Sequence, residues 1–477
     1  MVLVFEACRA GNDITVRGVC IPRPTPPLIV LCAVCGRWRK LALETPSLWA
    51  TVKINVIGNP RTPTNVYCTT QLFFERSHQT LVHADVGYTP VDDDRSDFFQ
   101  IVAENSRRWR TMSLRLTCKG SHQPVFNTIR DRLPMLDNLS ITLAGTGAGD
   151  VGKSFLTAFE TCPSLHTVVL DMKLVCAGLL LPWNQIRILR LRQCHVHDAM
   201  IVFTRVPTAE QITIDGLFQD VELHDDNNIT LASVKTLAFD LGTEPDSTAD
   251  GALSDILRQC KIPRLESITI SQSYPPTDRA WDVPWTVTFF RDLILGSACR
   301  LTSISLCHVP IADYDLISIL ELTPRLTKLE IREGFPDTYY IETRMRKNTT
   351  VTSHLLRRLT VQYHPREGNA NIATNNPYNI LIPRLRELSL SVFDGDLASK
   401  ALVEMIVSRC PVADGRPSVA IGVNFAARYF DPLSHVNVTV HVREETNDFA
   451  ELLGLCCFRE AGLMMEIRVD QELEYDV

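Results

Sequence analysis

The sequence has no long apolar run and no surplus of positive charge, and each absence excludes a class of function. Its N-terminal apolar stretch, Met1–Phe5, is broken at once by Glu6 and Arg9. That is too short for a signal peptide or a membrane span, so the expectation is a chain of the cytoplasm, the nucleus or both, with no membrane partner. With 48 Lys and Arg against 55 Asp and Glu, the formal net charge is −7. A broad phosphate-binding surface needs clustered excess cations, so no nucleic-acid partner is expected. There is no His-Glu-x-x-His, no Gly-x-Ser-x-Gly, and no lipidation signal in Tyr475-Asp476-Val477, so the expectation is not an enzyme.

Cysteine is plentiful, but its pattern is not that of a ligand set. The 15 cysteines are odd in number and scattered from Cys8 to Cys457. Without a secretion signal they read as reduced, small core residues. Cys32-Ala-Val-Cys35 has the C-x-x-C spacing, yet no second pair lies nearby, and Trp38 and Leu41 continue a helical apolar face. No metal and no cofactor are expected.

What is abundant is self-similarity. The spacing L-x-x-L-x-L, with any apolar residue at the marked sites, recurs from Trp49-Val52-Ile54 to Leu385-Leu388-Leu390. Strong copies include Leu136-Leu139-Ile141, Leu165-Val168-Leu170, Ile186-Leu189-Leu191, Leu265-Ile268-Ile270 and Leu356-Leu359-Val361. Thirteen copies start 21 to 36 residues apart, 28 on average, which is the leucine-rich-repeat period. In each copy the last two apolar positions alternate with polar ones, as in a strand with one buried face. The stretches between read as amphipathic helices, for example Leu253-Ile256-Leu257 and Leu316-Ile319-Leu320. One strand and one helix cannot bury their own apolar side, so neighbours must stack. The predicted fold is α/β, a leucine-rich-repeat solenoid or horseshoe over residues 49–392. After Val392 the pattern fades, and residues 393–477 read as a C-terminal repeat or cap, with a helix over Asp396–Cys410 and strands at Val436–Val442 and Met464–Val469.

The copy Ile186-x-x-Leu189-x-Leu191-x-x-Cys194-x-Val196 matches the longer consensus. It makes Cys194 a loop-bonding residue and leaves His195 and His197 on the surface, so this His/Cys cluster is not read as a metal site. A phosphate-loop pattern, Gly147-Ala-Gly149-Asp-Val-Gly152-Lys153-Ser154, also occurs, between an expected strand (Leu139–Leu143) and an expected helix (Ser154–Glu160). Asp171 follows Lys153 too soon for an intervening strand, and the repeat passes through both sites unbroken. A nucleotide-binding fold is therefore the weaker alternative.

Residues 1–54 read as a small helical element with a proline-rich link at 11–27. Its run Val34, Cys35, Trp38, Arg39, Leu41, Ala42, Pro46, Leu48 and Trp49 resembles the second half of an F-box of the F-box-like type abundant in fungi. The first helix of that family is represented only by Met1–Cys8, as if truncated. The resemblance implies an adaptor of a cullin–RING (SCF-type) ubiquitin ligase that binds a Skp-type linker protein through Val34, Cys35, Trp38, Leu41, Pro46, Leu48 and Trp49. The repeats would hold a protein substrate, and the alternative is a repeat scaffold without linker binding. On the strand face the outward positions concentrate charge at Asp171, Arg190, Arg192, Asp215 and Asp240, and again at Lys328, Glu330 and Arg332. These are the candidate substrate-binding residues. The loop 335–350, with Tyr339 and Arg344, is a further candidate contact.

Overall fold

The computed structural model describes residues 13–17, 26–57, 64–89, 98–117, 124–144, 152–171, 178–218, 228–241, 249–272, 287–309, 311–333, 350–361, 380–393, 399–410, 430–442 and 463–471. The protein is α/β, and the chain divides into two compact units, Met1–Ile212 and Thr213–Val477. The division falls inside the stretch read as one repeat array.

In the first unit, seven strands pair in parallel in chain order: β1 (Asp13–Arg17), β2 (Thr51–Ile57), β3 (Val82–Thr89), β4 (Trp109–Thr117), β5 (Asn138–Ala144), β6 (Thr167–Asp171) and β7 (Ile188–His195). Helices α1 (Pro27–Val34) and α2 (Gly36–Leu43) precede β2. Then α3 (Thr64–Arg76), α4 (Phe98–Glu104), α5 (Phe126–Ile129) and α6 (Lys153–Thr157) alternate with the strands, and α7 (Val196–Arg205) follows β7. Strand register carries the repeat. Val52, Ala84, Met112, Leu139, Val168 and Leu189 are successive partners, and so are Ile54, Val86, Leu114, Ile141, Leu170 and Leu191. All are buried, so each strand turns one face into a shared core. The helices close that core with aromatic rings. Phe99 meets Phe126 at 6.0 Å between centroids, and Phe126 meets Phe155 edge-on at 4.7 Å.

The strand β8 (Gln211–Phe218) spans the division between the units. In the second unit a short pair, β9 (Ile229–Thr230) and β11 (Cys260–Lys261), stands beside the main series. That series is β10 (Thr236–Asp240), β12 (Ser267–Ser271), β13 (Ser303–Cys307), β14 (Lys328–Arg332), β15 (Glu387–Phe393), β16 (His435–Val442) and β17 (Met464–Gln471), again parallel. Helices α8 (Ala249–Gln259), α9 (Val287–Ser297), α10 (Asp313–Glu321), α11 (Ser353–Leu359) and α12 (Ser399–Arg409) pack in chain order. The core ladder runs Leu237, Ile268, Ile304, Leu329, Leu388 and Val436, all buried.

One turn introduces strand after strand. At Leu136, Leu165, Ala209, Leu265, Leu326 and Leu385 the first apolar residue of the copy donates its N–H to the carbonyl three residues earlier. In each case the residue two before it is a proline: Pro134, Pro163, Pro207, Pro263, Pro324 and Pro383. Proline's fixed φ suits the second position of such a turn, and its missing N–H is not needed there. The backbone then locks to the previous repeat. His166 and Thr167 both donate to the Asp137 carbonyl, and Arg386 and Glu387 both donate to that of Thr327.

The structure departs from the sequence reading in two places. Leu356-Leu359-Val361 is not a strand: Leu355, Leu356 and Leu359 are the buried face of α11, capped by Thr352, whose hydroxyl accepts from the Leu355 N–H at 3.2 Å. β14 therefore pairs directly with β15. The stretch 11–27, read as a link, contains β1, which pairs in parallel with β2. After Val392 the strands expected at Val436–Val442 and Met464–Val469 are β16 and β17, and both keep the register of the series.

Candidate functional site

Two surfaces can engage a partner. The first is the helical pair of the first unit. α1 is apolar all round, and such a helix must be covered on more than one side. Leu28 and Leu31 are buried, as are Ala42 of α2 and Leu48 and Trp49 after it. The Trp49 Nε1–H donates to the Ala42 carbonyl at 2.8 Å, and its ring meets Phe73 of α3 at 5.2 Å. This fastens the pair to the first repeat. The opposite side of α1 faces solvent, with Val30 50% and Val34 57% exposed. Cys35 is also exposed, and it starts α2 by accepting the Trp38 N–H at 3.5 Å. The Arg39 guanidinium donates to the Cys32 carbonyl at 2.8 Å and ties the two helices together.

Of the seven residues assigned to linker binding, Val34 and Cys35 are exposed, and Trp38, Leu41 and Pro46 are half-buried. Leu48 and Trp49 are not on that surface: the chain's own core takes them. A tryptophan at the head of a strand copy packs inward for the same reason as the leucines that hold that position elsewhere.

The second surface is the outward face of the strands. In the first unit Arg115 of β4 reaches across β3 to donate to Asn55 Oδ1 of β2 at 2.8 Å, and pairs with Asp85 at 3.2 Å. Asp171 and Arg192 are strand partners, and Arg192 donates to Thr142 Oγ1 at 3.1 Å. Asp171 is only 4% exposed, so it does not offer its carboxylate to a ligand as the outward position predicted. Arg190 is exposed and Arg192 half-buried. Asp215 and Asp240, both half-buried, belong to the second unit, so the five residues are divided between the units.

In the second unit the outward face of β14 to β17 forms an open groove of about 540 Å³. Lys328, Glu330 and Arg332, already singled out, line it with Glu387, Ser389, His435, Asn437 and Glu466. The charges are largely internally matched. Arg332 pairs with Glu330 at 2.6 Å, Lys328 lies 3.8 Å from Glu387, and the Ser305 hydroxyl donates to Glu330 at 3.0 Å. A groove of alternating, mutually satisfied charges orients a polar partner more than it attracts one of either sign. Sequence reasoning missed His435, Asn437 and Glu466, which lie beyond the last recognised copy, Leu385-Leu388-Leu390, and it passed over Glu387 within that copy. Leu433-Val436-Val438 has the same spacing and was the available signal.

The remaining motifs resolve partly. Cys194 is buried, and its thiol donates to the His195 carbonyl at 3.3 Å; His195 and His197 are exposed on either side of buried Val196. Among the described residues no cluster of three or more His, Cys, Asp or Glu could hold a metal. Most of the phosphate-loop pattern and the loop 335–349 lie outside the described residues; Gly152, Lys153 and Ser154 start the five-residue α6. Among the described residues no helix is long and apolar enough to cross a membrane. No family model and no curated protein matches the chain.

Proposed function

We propose that the protein is a substrate-recognition adaptor of a cullin–RING ubiquitin ligase, without chemistry of its own. In this reading α1 and α2 are the F-box-like element that docks on a Skp-type linker. Each unit is a segment of leucine-rich-repeat solenoid whose outward strand face receives a protein substrate. The observation that carries the reading is the two-sided packing of α1. One side is fastened through Leu28 and Leu31, while Val30 and Val34 stand in solvent, and Trp38 and Leu41 of α2 are half-buried. An apolar helix left open on one side is explained by a partner that covers it.

The test is co-expression with a Skp-type linker and pull-down, beside a Trp38→Ala, Leu41→Ala variant whose circular dichroism is checked against wild type. The expected result is linker retained by the wild type and lost by the folded variant. Absence of the linker from the wild-type pull-down would favour a second reading, a repeat scaffold without linker binding. The observation on its side is β1, a sheet strand inside the stretch that the F-box-like reading takes as a link.

A further inference from the structure

The strand series of the second unit ends at β17, and among the described residues no strand pairs with its far edge. An open edge carries a row of N–H and C=O groups ready for another strand. The interior column also ends unfinished. Phe239, Ile270, Leu306, Ile331, Leu390 and Val438 are buried, but Ile467, the next in register, is only half-buried.

The backbone fixes which groups face outward. The Met464 N–H bonds to the Ser434 carbonyl, on the β16 side, at 2.9 Å. In a parallel pair alternate residues turn to the same side, so those of Met465, Ile467 and Val469 turn to the open edge. None of Met464–Gln471 is proline or lysine, the residues that commonly block edge pairing. Instead the strand is complementary to itself. With a second copy antiparallel and a two-fold axis at Ile467, Ile467 faces Ile467, and Glu466 faces Arg468 on the outward side. These last two are exposed and already pair within the strand at 2.6 Å. Exchanging that partner for the one across the axis costs little, because exposed ion pairs are weak.

We propose that the edge of β17 is a self-association surface, on which two copies of this chain join their sheets by an antiparallel β17–β17 pair centred on Ile467. The interface is isologous and closes at the dimer. It rests on the edge geometry alone and stands whether or not α1 and α2 bind a linker.

The experiment is sedimentation velocity on the full chain from about 1 to 100 μM, the span in which a small edge interface dissociates. Wild type is expected to shift from monomer to dimer. Glu466→Arg alone, or Arg468→Glu alone, sets like charges face to face at both ends of the axis and should weaken the dimer by about tenfold or more. An equimolar mixture of the two variants restores opposite charges at every position and should recover the dimer as a heterodimer. Both positions are exposed, so unfolding does not imitate this result. Monomer throughout the range, as when another segment of the chain occupies the edge, would overturn the proposal. A dimer indifferent to both single changes would overturn it too.

Discussion

At the residue scale, single atoms decide what the outward face can do. Gly87 sits in register between Asn55 and Arg115. A Cβ there would lie 2.5 Å from Asn55 Oδ1 and 3.6 Å from Arg115 Nε, so a larger residue would displace the asparagine end of that bridge. Arg108 works the other way, by gathering loose backbone. Its guanidinium donates to the carbonyls of Phe74, His78 and Thr80, to the Ser77 hydroxyl and to Asn105 Oδ1. Asp313 joins two helices. Its carboxylate accepts from the Thr352 hydroxyl at 2.6 Å and from the Tyr314 N–H at 2.7 Å, with His354 Nδ1 at 3.3 Å. Burial alone would raise its pKa, but these three partners outweigh it and hold the group below its ordinary 3.8. A carboxylate depressed in the folded state stabilises above its unfolded value, and that stability is lost as pH falls through the folded one. Asp313→Asn should therefore lower the urea midpoint at neutral pH, and the gap from wild type should close in acid below 3.8. A gap that is constant across that range would show that the charge contributes nothing.

At the scale of elements, helix ends are where one repeat is fastened to the next. Arg409 is the last residue of α12 and is fully buried. Its guanidinium donates to the carbonyl of Leu359, at the end of α11, at 2.6 Å, and to those of Leu381 and Ile382 at 2.7 and 3.2 Å. A fork of fixed geometry spans these acceptors, whereas an ammonium is a point. Arg409→Met leaves buried carbonyls without their donor and should cost on the order of 3 kcal/mol. Arg409→Lys should recover only part of that loss, measured by urea denaturation of the full chain. A loss below about 0.5 kcal/mol for the methionine variant, the range of an ordinary surface change, would mean that the bracket is incidental. No sequence rule announces such an arginine, since exposed arginines at helix ends carry the same letters. The strands were legible because their period is 2 and their burial one-sided, and the Pro-x-Leu turn marks many of their starts. Leu356-Leu359-Val361 misled because i, i+3 spacing serves a helix face as well as a strand copy. Only the Thr352 cap separates the two readings, and it lies outside the pattern. Trp49 belongs both to the family motif, which gives it to the partner, and to the first strand copy, which turns it inward. The core has the stronger claim on a side chain that can also satisfy its indole N–H on Ala42.

At the scale of the whole molecule, stability should be distributed rather than single. Within each unit, strands and helices pair with neighbours in chain order, and an array of this kind is held by nearest-neighbour contacts. Such chains can open in segments, so that one part loses its core while another keeps it. Two thiols report on this separately. Cys162 lies in the first unit and Cys260 in the second, both buried, and burial pushes each thiol up to about 12. At pH 8 a thiol with that value is thiolate in about one part in ten thousand, so neither reacts until its surroundings open. Exposed Cys35 and Cys68 should be alkylated at once in the native protein. With a short pulse of iodoacetamide across a urea series and peptide mass analysis, the labelling of Cys162 and Cys260 should rise at different urea concentrations. Curves that superimpose would mean that the two units open as one cooperative block, with coupling along the chain that outweighs any difference between them. Separated curves would place the first unit, with its aromatic stack of Phe99, Phe126 and Phe155, and the second, with its arginine bracket, on independent footings. A partner bound to one unit would then raise the midpoint of that unit's cysteine and leave the other in place. If α1 and α2 bind the proposed linker, its presence should raise the midpoint of Cys162 and leave that of Cys260 in place.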